Sequence, residues 1–348
     1  MPSIRKKDSE VSGSLLDVQN LFVEYNLMDK RMEALHDVSF KLEKGEILGV
    51  AGESGCGKST LGLSLIGLLP KEAGIKGGRI LLEGRDLLKL SEGTMDRDVR
   101  GKTISMIFQN PQTALNPVFK IGTQMVDVLR FRHVHKNQGT PKKTELRQRA
   151  VEQLRETGIA DPAERITNYP FEFSGGMKQR TMIAMALSSD TKLLIADEPT
   201  TALDVTIESQ ILELLRNLAS RYETSIFYIS HNLGVLSKIS SVIMIMYAGR
   251  IFEWGPTRSI LDLPRHPYLA ALLEAMPGKQ IKGKRLLSIP GQVPPLDQVP
   301  SGCTFHHRCP FSRPMCRQNT PPLIEVSPGH WSACLVDQRM GRQTWKWI

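Results

Sequence analysis

The sequence predicts an α/β fold with a mostly parallel sheet flanked by helices. Short apolar runs typical of buried strands alternate with longer stretches of helical spacing. One such run, residues 47–51, leads directly into a glycine-rich loop and then into a helix-like run over residues 61–69. An apolar content of 41% over 348 residues is enough for a full core, organised as one large domain plus an extension.

The first element is an N-terminal antiparallel β subdomain. Residues 14–50 alternate apolar and polar side chains in short runs, which is typical of half-buried strands. Later strands are predicted at residues 80–82, 103–108, 192–196, 225–229 and 241–247. Helices are predicted within the helix-rich stretch 120–190, notably at 146–158 and 177–187, and at 207–222.

The composition changes after residue 256. Eight of the 21 prolines lie between Pro290 and Pro322, and turn signals dominate there. We therefore expect a separate small C-terminal module with little regular structure. The net charge of +9 is concentrated in this tail, which could meet nucleic acid, an anionic membrane surface or an anionic cofactor.

The loop at residues 52–59 reads GESGCGKS and fits the phosphate-binding pattern G-x-x-x-x-G-K-[ST]. In this pattern Lys58 reaches the β- and γ-phosphates, Ser59 holds Mg²⁺, and Thr60 adds a hydroxyl. Backbone N–H groups of the loop and the start of the following helix attract phosphate oxygens. The residues of this predicted nest are Gly52, Ser54, Gly55, Cys56 and Gly57. The chain is thus predicted to bind a nucleoside triphosphate.

A pair of carboxylates ends the strand predicted at 192–196. Asp197 follows four apolar residues, which suits a carboxylate that holds Mg²⁺ through water, and Glu198 comes next. A carboxylate at that position can polarise the water that attacks the γ-phosphate. The pair predicts that the bound triphosphate is hydrolysed.

Neither a membrane span nor a signal peptide is predicted. No run approaches 18 consecutive apolar residues, and residues 1–11 are polar and charged. We expect an intracellular protein.

Residues 173–180, FSGGMKQR, resemble the signature motif of ATP-binding cassette (ABC) transporters, with Phe173 where the common form has Leu. A serine and two glycines before a helix form a second anion-binding nest. The resemblance implies that two chains face each other, and that Ser174, Gly175 and Gly176 cap the ATP held by the other chain. It also implies a P-loop NTPase fold with an ABC domain over 14–255 and a helical signature subdomain over about 115–190.

Four more elements follow in the order of this family. Tyr25 is placed where an aromatic ring stacks on adenine, and Gln109 resembles the Q-loop glutamine that ties Mg²⁺ and water to a transmembrane partner. Residues 201–204 are similar to the D-loop, with Asp204 at the dimer interface, and His231 matches the switch histidine that contacts the γ-phosphate. The catalytic set implied is Glu198, His231 and Gln109, and the Mg²⁺ set is Ser59, Gln109 and Asp197.

Three stretches narrow the resemblance to ATPases of oligopeptide, dipeptide and nickel importers. They are residues 109–117 (QNPQTALNP), residues 266–268 (HPY) with the Ala-Leu-Leu of 271–273, and residues 302–310 (GCTFHHRCP). The last of these is similar to the cysteine motif of di- and oligopeptide ATPases and makes nickel a less favoured cargo. Residues 256–348 would be the extension typical of that subfamily.

The role implied is ATP hydrolysis that drives peptide import. The partners implied are a second ATPase subunit, favoured as a paralogue, two transmembrane permease subunits and, indirectly, an extracytoplasmic substrate-binding protein. The chain would lie peripherally on the cytoplasmic face of the cell membrane. Nickel or sugar cargo stays open, as does a soluble ABC ATPase that acts on nucleic acid or ribosomes. Because such proteins typically carry two cassettes and this chain has one, we expect no nucleic-acid partner.

Four cysteines cluster in the extension, namely Cys303, Cys309, Cys316 and Cys334. Their spacing lacks the short C-x2–4-C pairs of zinc sites. Four thiolates suit a [4Fe–4S] cluster, whose negative charge fits a basic tail, and the family resemblance points the same way. Zinc and free or structural thiols remain alternatives. The fifth cysteine, Cys56, is expected to fill space within the phosphate-binding loop rather than bind a metal.

Overall fold

Two β-sheets form the framework of the chain in a computed structural model, which describes residues 13–27, 30–109, 114–134, 141–187, 191–201, 203–276, 289–340 and 345. The smaller sheet is antiparallel, with the strand order β2-β1-β4-β5. Its strands are β1 (Leu16–Leu27), β2 (Lys30–Leu42), β4 (Ala73–Leu82) and β5 (Arg85–Asp86). The predicted N-terminal antiparallel subdomain is confirmed.

The larger sheet has the strand order β11-β12-β10-β9-β3-β8-β7-β6. Strands β9, β3, β8, β7 and β6 are parallel, and β10, β12 and β11 are antiparallel to their neighbours. The bounds are β3 Ile47–Ala51, β6 Ile104–Ile107, β7 Leu193–Asp197, β8 Ser225–Ile229, β9 Val242–Tyr247, β10 Arg250–Pro256, β11 Ile324–Ser327 and β12 His330–Ser332. The predicted parallel sheet is confirmed.

Helices cover the parallel sheet and build the predicted helix-rich region. The longer ones are Lys58–Ile66, Ile121–Val134, Lys143–Glu156, Gly175–Ala186, Val205–Tyr222, Leu233–Ile239 and Pro267–Glu274. Shorter helical turns are Leu87–Lys89, Glu92–Thr94, Met95–Val99, Pro162–Arg165, Pro170–Glu172, Thr257–Asp262, Leu296–Gln298, Pro314–Gln318 and Leu335–Met340. No helix in the described ranges has the length and apolar character needed to cross a bilayer.

The central strands are buried on both faces, which explains their nearly continuous apolar sequences. All five residues of β7 and of β8 are buried. Because the central strands are parallel, their carboxyl ends meet at one edge of the sheet, where α/β proteins bind ligands. The phosphate-binding loop, Gln109, Asp197 and His231 follow or end β3, β6, β7 and β8 at that edge.

The C-terminal extension differs from the expected separate module with little regular structure. Its strand β12 pairs with β10, with Glu253 opposite Ser332 and Trp254 opposite Trp331, and β11 pairs with β12. These strands cover the edge that β10 would otherwise leave open. Phe305 is fully buried in the same core cluster as residues of the parallel sheet. The extension is therefore built onto the larger sheet.

Candidate active site

A cleft of about 760 Å³ opens at the carboxyl edge of the parallel sheet. It contains most of the residues that the sequence predicted for the site and three that it did not, Ala34, Thr201 and Leu296. The predicted residues that line it are Tyr25, Ser54, Gly55, Gly57, Lys58, Ser59, Thr60, Gln109, Glu198 and His231. Five stretches that are distant in sequence, at Tyr25, 54–60, Gln109, Glu198 and His231, thus meet at one place.

The phosphate-binding loop is shaped by glycines at positions that no side chain could occupy. At Gly52, a Cβ atom would lie 2.3 Å from the carbonyl oxygen of Met246. Gly57 has φ +102° and directly precedes the helix Lys58–Ile66, so the chain enters that helix through a left-handed residue. The loop therefore brings its backbone close to the cleft.

Lys58 lies across this loop with its side chain almost fully buried. Its Nζ donates to the carbonyl oxygens of Gly52, at 2.8 Å, and Glu53, at 2.9 Å. A cation held at the centre of a loop that opens to the cleft can meet phosphate oxygens there. Thr60 lies on the same side, and its hydroxyl is 3.3 Å from the hydroxyl of Tyr25.

Cys56 is fully buried and packs in the core between the two sheets. Burial raises the pKa of its thiol, so the thiol stays neutral. Its backbone N–H donates to the carbonyl oxygen of Glu53 at 3.3 Å. Cys56 thus fills space, as expected, but this N–H is engaged within the loop.

Ser59, which lines the cleft, and Asp197, which is buried, supply neighbouring oxygen atoms. The Ser59 hydroxyl hydrogen-bonds to the Asp197 carboxyl. Burial raises the pKa of Asp197 and outweighs the opposing effect of that hydrogen bond. A hydroxyl and a carboxyl side by side fit a hard cation such as Mg²⁺, whose charge would favour the ionised carboxylate.

Glu198 connects three side chains from different parts of the chain. Its Oε1 lies 3.0 Å from Nδ1 of His231, and its Oε2 accepts from Nε2 of Gln109 and from Oγ1 of Thr201, both at 3.0 Å. Burial raises the pKa of Glu198, but the hydrogen bonds from His231 and Thr201 outweigh it and the net shift is downward. The backbone of Glu198 is left-handed, with φ +46°, a strain found at functional sites. The carboxylate is thus ionised and fixed, as a general base requires.

Four more predicted residues, Ser174, Gly175, Gly176 and Asp204, do not line the cleft, and all of them are exposed except Gly176, which is half-buried. Ser174 accepts the Met177 N–H at 3.3 Å and so caps the helix Gly175–Ala186. In the same way, the Asp204 carboxylate accepts the Ile207 N–H at 2.9 Å and caps the helix Val205–Tyr222. The two helix starts touch, because a Cβ at Gly176 would lie 3.1 Å from Cγ2 of Ile207. None of the residues of this second predicted nest lines the chain's own cleft.

Some of the predicted motifs extend beyond the described residues. Ala202 of the expected D-loop lies outside them, as do residues 110–113 of the expected Q-loop. Leu296 was missed for a different reason. It comes from the extension, where an apolar residue in a proline-rich stretch belongs to no motif, and its turn reaches the cleft by packing against β2.

The four cysteines of the extension line one small cavity. Cys303, Cys309, Cys316 and Cys334 surround it together with His266, His306 and apolar side chains. Burial raises the pKa of Cys303 to about 11 and the pKa values of Cys309 and Cys334 to about 12, and the neighbouring thiols add to each shift. Among the described side chains, no group of three or more His, Cys, Asp and Glu residues could hold a single metal ion. The four predicted cysteine ligands therefore surround one cavity, but their positions do not fit a single metal ion.

Comparisons with known proteins find similar proteins over most of the chain. The family model described as "ABC transporter" matches residues 35–201, and the model "Oligopeptide/dipeptide transporter, C-terminal region" matches residues 252–316. A probable peptide ABC transporter ATP-binding protein of Sinorhizobium fredii is 45% identical over 95% of this chain and 97% of its own length. The oligopeptide transport ATP-binding protein OppD of Escherichia coli is 43% identical over 93% of each chain.

Solved structures show the same fold. A dimeric ATP-binding cassette, MJ0796, bound to ADP and Pi in a post-hydrolysis state, has a TM-score of 0.61 and 24% identity, covering 70% of this chain and 99% of that one. CbiO1 of Clostridium perfringens, part of an ABC transporter complex, has a TM-score of 0.59 and 25% identity, covering 72% and 91%. The cassette fold thus accounts for about seven-tenths of the chain.

Proposed function

This chain belongs to the ABC transporter family of ATP-binding proteins, and we propose that it is the ATP-hydrolysing subunit of an importer for di- and oligopeptides. One observation supports the proposal that the cargo is a peptide. The likeness to peptide-transport ATPases extends through the C-terminal extension and covers nearly the whole chain. We propose cassette bounds of 14–255, with the helical subdomain at about 115–190, and an extension over 256–348.

The cleft supports a defined division of labour in hydrolysis. Lys58 and the loop N–H groups hold the phosphates, and Tyr25 stacks on the adenine. Ser59, Asp197 and Gln109 would hold Mg²⁺, which would supply positive charge to offset the negative charge of the transferred phosphoryl group. Glu198 accepts the proton of the attacking water.

Gln109 and His231 have a second role in this scheme, through Glu198. They fix the two carboxylate oxygens from opposite sides, at 3.0 Å each. His231 then contacts the γ-phosphate when nucleotide is bound. Positioning of this kind is the main contribution a protein makes to phosphoryl transfer.

A second ATPase chain completes the site. In the nest, Ser174 and Gly175 are exposed and Gly176 is half-buried, and none of the three lines this chain's own cleft. Val205, next to Asp204, leaves 75% of its side chain exposed, which suits an interface. The MJ0796 cassettes are described as dimeric. We infer that ATP closes such a dimer here, with a paralogue favoured as the partner.

A transmembrane permease subunit is the proposed partner of the helical region. Val118 and Phe171 are each 71% exposed, and Phe119 is also exposed. Tyr169 joins them into one patch, because its ring stacks on Phe171 with centroids 5.4 Å apart and lies under the Lys120 ammonium. Exposed apolar patches of this kind mark interaction sites. This docking would hold the chain at the cytoplasmic face of the membrane, with a substrate-binding protein acting from the other side.

We further propose that the four cysteines of the extension hold a [4Fe–4S] cluster. The support is their convergence on one cavity whose other lining is largely apolar. The ligands of one zinc ion must all lie within about 2.3 Å of a common centre. A cluster relaxes this demand, because each thiolate binds a different iron atom. The cluster would act as a covalent staple for a proline-rich segment.

The proposed function is tested by reconstitution. The chain should co-purify in detergent with two integral membrane proteins and a related ATPase. In proteoliposomes, a peptide-loaded binding protein should stimulate ATP hydrolysis, whereas nickel and sugars should not. Stimulation by nickel or a sugar alone would reassign the cargo. Co-purification with RNA or ribosomes in place of membrane subunits would favour the soluble ABC ATPase.

A further inference from the structure

The C-terminal extension contacts the phosphate-binding loop at Glu53. Both terminal nitrogens of the Arg308 guanidinium donate to the Glu53 carboxylate, at 2.6 and 3.0 Å. The backbone N–H of Glu53 donates to the hydroxyl of Tyr268 at 3.0 Å. Both partners come from the extension, more than 200 residues away along the chain. One loop residue is thus held through its side chain and its backbone at once.

Arg308 itself is fixed from several sides. Its side chain is 3% exposed, and its Nε donates to the carbonyl oxygen of Pro290 at 2.8 Å. The guanidinium lies 5.7 Å from the ring centroids of Tyr247 and Phe305 and donates to the Tyr247 hydroxyl at 3.3 Å. A guanidinium confined in this way makes a directional fork to a carboxylate. Its position is set by the packed extension and not by Glu53 alone.

Glu53 in turn shapes the loop around Lys58. The Glu53 carbonyl oxygen accepts from Lys58 Nζ at 2.9 Å and from the backbone N–H of Cys56 at 3.3 Å. Its carboxylate is a negative charge in a loop built to receive phosphate. Left unpaired, that charge would repel the triphosphate, and the loop would lose one of its anchors. The ion pair with Arg308 offsets this negative charge and keeps the loop anchored.

We propose that Arg308 is a positioning residue for nucleotide binding that acts through Glu53. By this contact the extension sets the affinity of the cassette for ATP. Arg308 directly precedes Cys309, so the segment that carries the four cysteines also carries this contact. The inference rests on the proposed ATP site, which the experiment tests separately.

The experiment measures the Kd of a fluorescent ATP analogue for the full chain. Arg308→Gln leaves the Glu53 carboxylate unpaired and should raise the Kd about tenfold, in line with the strength of charged hydrogen bonds. Adding Glu53→Gln to Arg308→Gln removes the unpaired charge and should recover most of the lost affinity. A purely structural role of Arg308 would not produce that recovery.

Arg265→Gln is the matched control. It breaks another ion pair of the extension, Arg265 with Asp337 at 2.8 Å, which does not involve the phosphate-binding loop. It should lower the melting temperature and leave the Kd within twofold of the wild-type value. An equal rise in Kd for Arg265→Gln and Arg308→Gln would overturn the proposal, as would failure of the double variant to recover affinity.

Arg308→Lys keeps the positive charge. It provides a second test of the contact if Arg308→Gln fails to fold. Because an ammonium cannot form the two-pronged contact with Glu53, it should raise the Kd about threefold. An unchanged Kd for this variant would also count against the proposal. If the wild-type chain itself binds no ATP analogue, it is the proposed function that fails.

Discussion

The Nδ1 atom of His231 lies 3.0 Å from Oε1 of Glu198. This contact joins residues that follow two neighbouring parallel strands, β8 and β7. Gln109, from the end of β6, holds the other carboxylate oxygen. The Glu198 carboxylate is therefore held by side chains that follow neighbouring strands, and we expect its removal to affect hydrolysis more than nucleotide binding.

Glu198→Gln should preserve ATP binding and lower hydrolysis in the assembled complex. An amide can still receive the hydrogen bond from Thr201, but it cannot accept the proton of the attacking water. The rate should fall by a factor of about 10² to 10⁴. ATP hydrolysis at saturating ATP and the Kd of ATP for the same preparation provide the check.

Thr201→Val serves as the control for that experiment. It removes one hydrogen bond to Glu198 and keeps the carboxylate. Its effect on the rate should be about tenfold or less. Hydrolysis by the Glu198→Gln complex at close to the wild-type rate would show that another group is the base.

Gly176→Asp should spare ATP binding by the isolated chain and stop transport by the assembled complex. In the proposed dimer it puts a carboxylate beside the phosphates held by the other chain, where like charges repel. Nucleotide binding is measured on the isolated chain and transport on the complex. Because Gly176 does not line this chain's own cleft, the two measurements should separate.

Gly176→Ala distinguishes charge from crowding at the same position. Its methyl group would lie 3.1 Å from Cγ2 of Ile207, as the first atom of an aspartate side chain would. It should retain much more transport than Gly176→Asp. Loss of ATP binding by the isolated Gly176→Asp chain would argue against two facing chains.

The residues proposed for catalysis could be found from the sequence because each lies next to a local pattern. The strand Ser225–Ile229 was predicted with its exact bounds, and His231 lies two residues after its end. Asp197 and Glu198 similarly follow a buried apolar run. Where strands are parallel, knowing their ends is enough to place their side chains at one edge.

The contacts made by the extension were not predictable in this way. Arg308 and Glu53 are separated by 255 residues, and neither position carries a pattern that names the other. The pairing of β12 with β10 also depends on which sheet edge is left open by the rest of the fold. Leu296 lines the cleft only because the turn that contains it packs against β2. Such contacts follow from tertiary packing and not from local sequence.

His266 should make the fold less stable as the pH falls. Burial lowers its pKa to about 3, and its Nδ1 accepts the Tyr268 N–H at 3.0 Å at the start of the helix Pro267–Glu274. In the unfolded chain its pKa is about 6.5. Between these values the unfolded chain binds one more proton than the folded chain, so stability falls as the pH drops through that window.

His266→Asn isolates this contribution. Asparagine can cap the helix as an acceptor but does not titrate. Its free energy of unfolding should depend less steeply on pH between 7 and 5, by an amount that approaches about 1.4 kcal/mol per pH unit. Urea unfolding at several pH values measures the slopes. Equal slopes for the two proteins would mean that His266 is protonated in the folded state.

The final prediction concerns the cysteine cavity. Protein purified without oxygen should contain about four iron and four sulfide ions per chain. It should be brown and absorb light at about 400 nm. Serine at any one of Cys303, Cys309, Cys316 or Cys334 should reduce the iron content and lower the melting temperature, because the staple is lost. Cys56→Ser is the matched control and should keep all the iron, since Cys56 is buried in the other core cluster. One zinc per chain, without iron and without this absorbance, would replace the cluster with a zinc staple.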